Sequence, residues 1–333
     1  MKKNTIIFFF SILLGTLSLS QENDTLPYEF FKERIVLLAD VGFNSAPFSI
    51  KDNYKLGVKK IRYKNNIKPA VGLGFAYKWF GLRIGFTLPL NMLDENKYGD
   101  TQYFELAIKA NIKQTFCSID LRSYNGYAVK DAYKFNDSLS AVTPNALMPF
   151  TRSASLSANV WYFRDKNFKM QAFQGRSAHF KEESKTWYFK GTLNFFGVSN
   201  DNSTIIPKEL ADTIDRKSAR GIGAIDLGFI PGYAYGNRIN NWQFGLFAGI
   251  GGVVQSKYYQ KDGITRSFLG IAPRVDFKIA GGYSRRNYFV LLSSDFDIKS
   301  LKIQEMSYNQ TYYNIRLMAG IRLHTKKSRK TDS

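Results

Sequence analysis

The acidic residues at alternate positions are the side chains of this sequence best suited to chemistry. Asp295 and Asp297 are two residues apart, and Asp276 stands between Arg274 and Lys278. Residues two apart share one face of a β-strand, and paired carboxylates can act as general acid and base or bind a hard cation. Lysine and arginine recur at equivalent positions, so we favour an interior network of ion pairs.

Histidine and cysteine give little support for catalysis. The sequence contains His179, His324 and one cysteine, Cys117. A serine nucleophile needs an imidazole beside it and a third group that orients the imidazole. His179 follows Ser177 by two residues, but its polar surroundings predict a solvated loop histidine. Two histidines and one cysteine do not form a transition-metal ligand set. We therefore expect no catalytic residue, no metal, no cofactor and no enzymatic activity.

The elements that must position the charged residues are β-strands. The clearest alternating run places five apolar side chains on one face: Val71, Leu73, Phe75, Tyr77 and Trp79. The alternation restarts after Gly81 and recurs along most of the chain. Period-two alternation predicts strands. Strands of about ten residues, with one apolar face and one small or charged face, are typical of a barrel wall in lipid.

The predicted fold is all-β, a transmembrane antiparallel up-and-down β-barrel over residues 34–323. We identify about thirteen candidate strands, whereas a single-chain bacterial barrel has an even number. The strand from Phe168, with Met170 and Ala172 turned outward, is one of them. Long and short loops alternate in each half of the chain, but the alternation breaks across residues 177–220. We therefore place the miscounted strand there and favour twelve strands, with fourteen as the alternative. A soluble β-sandwich would seldom need so many long strands.

The alternation also predicts which polar side chains face the lumen. These are Arg83, Glu105, Lys109, Asp120, Arg122, Lys190, Arg274, Asp276, Asp295, Asp297, Arg316 and Arg322. Basic groups exceed acidic ones in this set. Any open pore would therefore favour anions, because a basic constriction attracts them and repels cations.

The N-terminus predicts export. Lys2 and Lys3 precede an apolar stretch at 6–14 that is too short to span a bilayer as a helix. Ser18 and Ser20 are the small residues that a cleavage site needs three and one positions before the cut. Residues 1–20 are therefore expected to be a signal peptide cleaved before Gln21. We expect a periplasmic lead at 21–33, an outer-membrane barrel, and a basic tail at 324–333.

The formal net charge of +20 limits the expected partners. In a cytosolic protein it would suggest nucleic acid, but the export signal and the strand pattern argue against that class. We expect contacts with outer-membrane lipid and the phosphates of lipopolysaccharide. The barrel assembly machinery is expected to engage the aromatic-rich last strand. The sequence identifies no other protein partner.

Four segments resemble an uncharacterised family of Bacteroidetes outer-membrane proteins, the domain of unknown function 4421. They are Val71–Trp79 (VGLGFAYKW), Tyr103–Leu106 (YFEL), Ala158–Phe163 (ANVWYF) and Ser203–Pro207 (STIIP). The resemblance extends over most of residues 28–322. It implies an outer-membrane barrel. It implies no reaction or ligand, and no functional residue is carried over from it.

Two functional classes remain, with a hydrolase ranked last. The first is a narrow channel or a passive solute-binding barrel, which a polar gap through the lumen would favour. The alternative is a structural or assembly component of the envelope that contacts a partner protein, which a plugged lumen with ordered loops would favour. A buried His179 bonded to both a hydroxyl and a carboxylate would favour a hydrolase.

Overall fold

The computed structural model describes residues 26–90, 92–211, 214–261 and 263–325. The predicted signal peptide, its cleavage site and the tail from residue 326 lie outside the described residues. Among the helices described, none is long and apolar enough to span a membrane.

Sixteen strands account for most of the described chain. They are β1 Tyr28–Phe30, β2 Arg34–Ser45, β3 Phe48–Lys51, β4 Lys60–Lys64, β5 Lys68–Tyr77, β6 Phe80–Thr87, β7 Gln102–Ile112, β8 Thr115–Val129, β9 Ala146–Phe163, β10 Ala178–Phe180, β11 Ser184–Asn200, β12 Gly221–Ile239, β13 Trp242–Lys261, β14 Ile264–Ser284, β15 Tyr288–Ile303 and β16 Met306–His324. Two short helices are α1, Glu95–Tyr98, and α2, Met170–Phe173. Single 3₁₀ turns lie at Lys55–Gly57, Ala132–Lys134 and Asp215–Ser218.

Twelve of these strands form a closed antiparallel ring, in the order β2, β5, β6, β7, β8, β9, β11, β12, β13, β14, β15 and β16. The last strand pairs with the first, with Arg322 opposite Val36, and this pairing closes the barrel. The prediction of twelve strands is confirmed. Closure also leaves the ring without a free first or last edge.

The two ends of the barrel differ in their connections. At one end, called here the turn end, β5–β6, β7–β8, β12–β13 and β14–β15 join through two or three residues. The opposite end, called the loop end, carries longer connections at 88–101, 130–145 and 201–220. The hairpin β3–β4 also lies at the loop end, where β4 pairs with β8 above the shorter strands β6 and β7. The two-residue connections β13–β14 and β15–β16 also lie at the loop end, and the long segment 164–183 lies at the turn end. Outer-membrane barrels typically have short turns at one end and longer loops at the other, and most short connections of this ring lie at the turn end.

The turn end is closed by a plug, formed by residues 26–33 and 164–183. In the plug β1 pairs with β10, and every residue of α2 is buried. Phe168 and Phe173 pack against Phe247 of the wall, with ring centroids 5.6 and 4.5 Å apart. The predicted strand from Phe168 is therefore wrong. Met170 and Ala172 do not face lipid, because they lie in a helix inside the barrel.

The loop end is closed by a cap, formed by residues 201–211 and 214–220. Ile205, Ile206 and Leu210 are fully buried among aromatic side chains of the upper lumen. The hydroxyl of Tyr63 donates to the carbonyl oxygen of Ile205 at 2.7 Å, and Arg216 of the cap pairs with the buried Asp52 at 2.9 Å. Apolar layers thus cover both ends of a polar middle.

Candidate functional site

The polar middle of the barrel holds a charged cavity of about 130 Å³. Alternation along the strands turns polar side chains toward it and apolar side chains outward. Eleven of the twelve predicted lumen residues line this cavity: Arg83, Glu105, Lys109, Asp120, Arg122, Lys190, Arg274, Asp276, Asp295, Asp297 and Arg316. The twelfth, Arg322, is buried beside the plug.

Arg83 and Glu105 form the centre of a buried ion network. The guanidinium of Arg83 donates twice to Asp40, at 2.6 Å each, and also pairs with Glu105. Glu105 pairs in addition with Arg316 at 2.8 Å and Arg122 at 3.2 Å. A buried charge is tolerated when it is paired and hydrogen-bonded. This cluster therefore serves to hold neighbouring strands together rather than to act as a reactive pair.

Glycine makes room for that network. A Cβ at Gly72 would lie 2.4 Å from a terminal nitrogen of Arg83 and 2.7 Å from an oxygen of Asp40. A side chain at this position would displace the ion pair. The glycine at position 72 is therefore explained by the Arg83–Asp40 ion pair, which occupies the space a side chain would fill.

The carboxylates that suggested chemistry are also held in ion pairs or hydrogen bonds. Asp276 accepts from Trp161, Tyr188 and Lys190, each at 3.0 Å. Asp295 pairs with Lys278 at 3.4 Å and also accepts from Asn314. Asp297 pairs with Lys299 at 3.5 Å. Within the described ranges, no group of three or more His, Cys, Asp or Glu side chains is placed to hold a metal ion.

Two cations at the cavity have no such partner. Among the described residues, neither Lys109 nor Arg176 forms an ion pair or a side-chain hydrogen bond, and the Nε of Arg176 is buried without an acceptor. They are close together, because Lys109 lies opposite Gly81 in the β6–β7 ladder. A Cβ at Gly81 would lie 3.7 Å from a terminal nitrogen of Arg176. Sequence alternation identifies Lys109 but misses Arg176, because Arg176 lies in the plug and follows no strand pattern.

His179 is not a solvated loop residue, as the sequence predicted. It lies on β10, and only 3% of its side chain is exposed. Its Nε2 donates to Glu29 at 3.0 Å, and its ring packs edge-on against Phe31. The Nδ1 atom is buried with no partner in the described part of the chain. The carboxylate that a hydrolase would need is present, but no hydroxyl of the described residues bonds to His179.

The pKa values of this pair follow from its position in the plug. Burial opposes ionisation of Glu29, but hydrogen bonds from His179 and Arg286 prevail and lower the pKa of Glu29 to about 2. Burial lowers the pKa of His179 below its usual value of 6.5, against the opposing effect of Glu29. His179 is thus neutral at pH 7, and Glu29 is ionised.

Residues 22–322 match a family described as a domain of unknown function, DUF4421. The chain belongs to this family. The match covers the barrel wall, the plug and the cap, so the charged cavity lies entirely within the DUF4421 domain. The family resemblance inferred from the sequence is confirmed. No curated protein has significant sequence similarity to this chain.

Solved structures similar to this DUF4421 barrel include three outer-membrane proteins. The outer-membrane protease OmpT of Escherichia coli has 9% identity and a TM-score of 0.38, covering 90% of this chain and 99% of its own. The COG4313 outer-membrane channel of Pseudomonas putida F1 has 9% identity and a TM-score of 0.38, covering 90% and 100%. The P. putida toluene transporter TodX has 7% identity and a TM-score of 0.32, covering 88% and 91%. These likenesses are too distant to bear on activity.

Proposed function

We propose that the protein is an outer-membrane barrel that binds small anions in a lumen closed at both ends. The observation that carries the proposal is the pair of unpartnered cations, Lys109 and Arg176, beside an internal cavity. Eight basic and six acidic side chains line that cavity. Two adjacent like charges removed from water are costly unless an opposite charge compensates them. A bound anion supplies that charge.

The outer face of the wall supports the membrane location. Large apolar side chains stand exposed around the ring, among them Leu73, Val160, Leu227, Ile250, Leu292 and Leu317. A contiguous apolar exterior of this extent is unusual for a soluble monomer and matches the lipid-facing band of a barrel. The loop end would face outward and the plug would face the periplasm.

Anion titration tests the proposal. Protein extracted in mild detergent from the outer-membrane fraction is titrated with acetate by calorimetry. We expect Lys109→Gln and Arg176→Gln each to weaken acetate binding about tenfold, because charge-assisted hydrogen bonds contribute roughly 1.5–3 kcal/mol each.

Lys113→Gln is the matched control, since Lys113 is an exposed lysine in the turn that follows the same strand. Wild-type affinity in both cavity variants would contradict the proposal. Recovery of the native protein in the soluble periplasm would contradict the location.

A structural role in the envelope is the second candidate. Closure of the lumen by both plug and cap favours it, because a fully plugged barrel presents shaped ends rather than a pathway. Failure to bind acetate, together with absence of any current in planar bilayers, would move the assignment to this role.

A further inference from the structure

The barrel wall is not hydrogen-bonded around its whole height. The ladder between β14 and β15 ends at Phe277 opposite Phe296, although both strands continue toward the loop end. Residues 264–276 of β14 stay paired with β13, and residues 297–303 of β15 stay paired with β16. Between these two stretches, the described strands form no backbone ladder. We call this gap the seam.

Side chains rather than backbone hold the inner side of the seam. Gln255 of β13 donates to the carbonyl of Ser300 at 2.9 Å, and Lys257 donates to the carbonyl of Lys302 at 3.1 Å. Lys257 reaches across through the space beside Gly270, where a Cβ would lie 2.2 Å from its ammonium. The carbonyls of Ser300 and Lys302 are thus satisfied without β14. The stretch of β14 along the seam is therefore held in the wall by β13 alone.

The outer side of the seam is apolar. Leu269 and Ile271 on β14 are each 83% exposed, well above most other lipid-facing side chains of the wall. Pro273 lies in the same stretch, and proline is confined to strand edges because it donates no ladder hydrogen bond. In lipid an unpaired strand edge is costly, so a contact that covers it is favoured.

The charged cavity reaches the wall beside this seam. Its lining includes Val275, Ile279 and Phe296, whose side chains lie on the outer face, together with the inward Arg274 and Asp297. An apolar surface and a basic interior therefore meet at one place. The plug and the cap cover the two ends of the barrel, and the cavity-lining residues whose side chains lie on the outer face are on β14 and β15, beside the seam.

We propose that the seam is a lateral portal for amphiphilic anions with one carboxylate head and a long apolar tail. The proposal rests on the anion site proposed above and names its ligand class. The head lies between Lys109 and Arg176. A cavity of about 130 Å³ accommodates a headgroup but not a long chain. The tail therefore lies in the seam, along Val275 and Phe296, and continues into the lipid.

Blocking the seam tests the portal. In a Cys117→Ser background, Val275→Cys is labelled with a bulky maleimide, and palmitate binding is followed in lipid nanodiscs. We expect the label to slow palmitate association at least about tenfold. The same label on Leu193→Cys is the control, because Leu193 is an exposed wall residue on a strand that is paired on both sides. It should leave the rate unchanged.

Chain length provides a second measurement that does not depend on labelling. Affinity should rise from acetate to palmitate in the unlabelled protein, since each added methylene buries apolar surface in the seam. Equal palmitate association rates with the two labels, or an affinity that does not change with chain length, would overturn the portal. Acetate binding in that case would still support the anion site. Loss of acetate binding in the unlabelled protein would instead overturn the anion site.

Discussion

At the residue scale, one buried arginine fixes the plug to the wall. The guanidinium of Arg322 donates to the carbonyls of Arg176 at 2.6 Å and Gly175 at 2.7 Å, and also to the carbonyl of Arg285. It also lies 4.6 Å from the ring centroid of Phe31. One side chain thus joins both segments of the plug to the last strand of the barrel.

Replacing this arginine should loosen the plug. We expect Arg322→Gln to destabilise the protein by about 3 kcal/mol or more, because several charge-assisted hydrogen bonds are lost at a buried site. Stability is measured as the urea concentration at which half of the protein loses the gel mobility of the folded barrel. Loosening of the plug is measured as protease cleavage within residues 164–183. Arg285→Gln is the control, since the Arg285 side chain is exposed. Equal protease resistance in the two variants would show that Arg322 does not hold the plug.

Acid should also loosen the plug through Glu29 and His179. The pKa of Glu29 is lowered from 4.5 to about 2, so its contribution to stability is full above pH 4.5 and disappears as the pH falls toward 2. The pKa of His179 is lowered from 6.5, so stability also falls below pH 6.5, where the unfolded chain takes up a proton first.

The measurement is the melting temperature between pH 7 and pH 2.5 for the wild type and Glu29→Gln. We expect the two curves to converge as the pH falls below 4.5. A constant difference across that interval would contradict the assigned role of Glu29.

At the scale of elements, alternation predicted the wall and failed inside it. The two faces of a wall strand have different surroundings, an apolar exterior and a polar lumen. Apolar and polar side chains therefore alternate along the strand. Phe168, Met170 and Ala172 also alternate, but they lie in a plug that is buried on all sides, where apolar residues carry no directional information. Arg176 escaped prediction for the same reason.

The hairpin β3–β4 shows a second property that pattern alone did not reveal. Its outward face carries Lys51, Lys60, Arg62 and Lys64, all exposed, and Lys51 lies directly opposite Lys60. Like charges opposite one another are destabilising, and none of the four forms an ion pair in the described ranges. We propose that this face contacts lipopolysaccharide phosphates above the apolar band.

Neutralising the hairpin should weaken lipopolysaccharide binding. We expect Lys60→Gln, Arg62→Gln and Lys64→Gln together to lower affinity about tenfold or more, since each surface cation contributes about 1 kcal/mol near an anionic membrane. Binding is measured with labelled lipopolysaccharide before and after removal of its phosphates. A triple variant at turn-end lysines 113, 166 and 181 is the control. If both triple variants bind equally well, the site is not on this hairpin.

At the scale of the whole molecule, closure and charge together predict how the barrel conducts. The plug and the cap each place a buried apolar layer across the lumen, and apolar constrictions block ions by excluding water. We therefore expect the wild type to give little or no current in planar bilayers. Arg322→Gln, by loosening the plug, should open transient currents.

Those currents should favour anions. The cavity that any ion must cross is lined by eight basic and six acidic side chains, and Lys109 and Arg176 form no ion pair in the described part of the chain, so it attracts anions and repels cations. Reversal potentials across a salt gradient measure the selectivity, and Lys109→Gln in the Arg322→Gln background should reduce it toward neutrality. Cation selectivity in that loosened barrel would mean that acidic groups such as Asp295 and Asp297, rather than the unpaired cations, set the potential of the pathway.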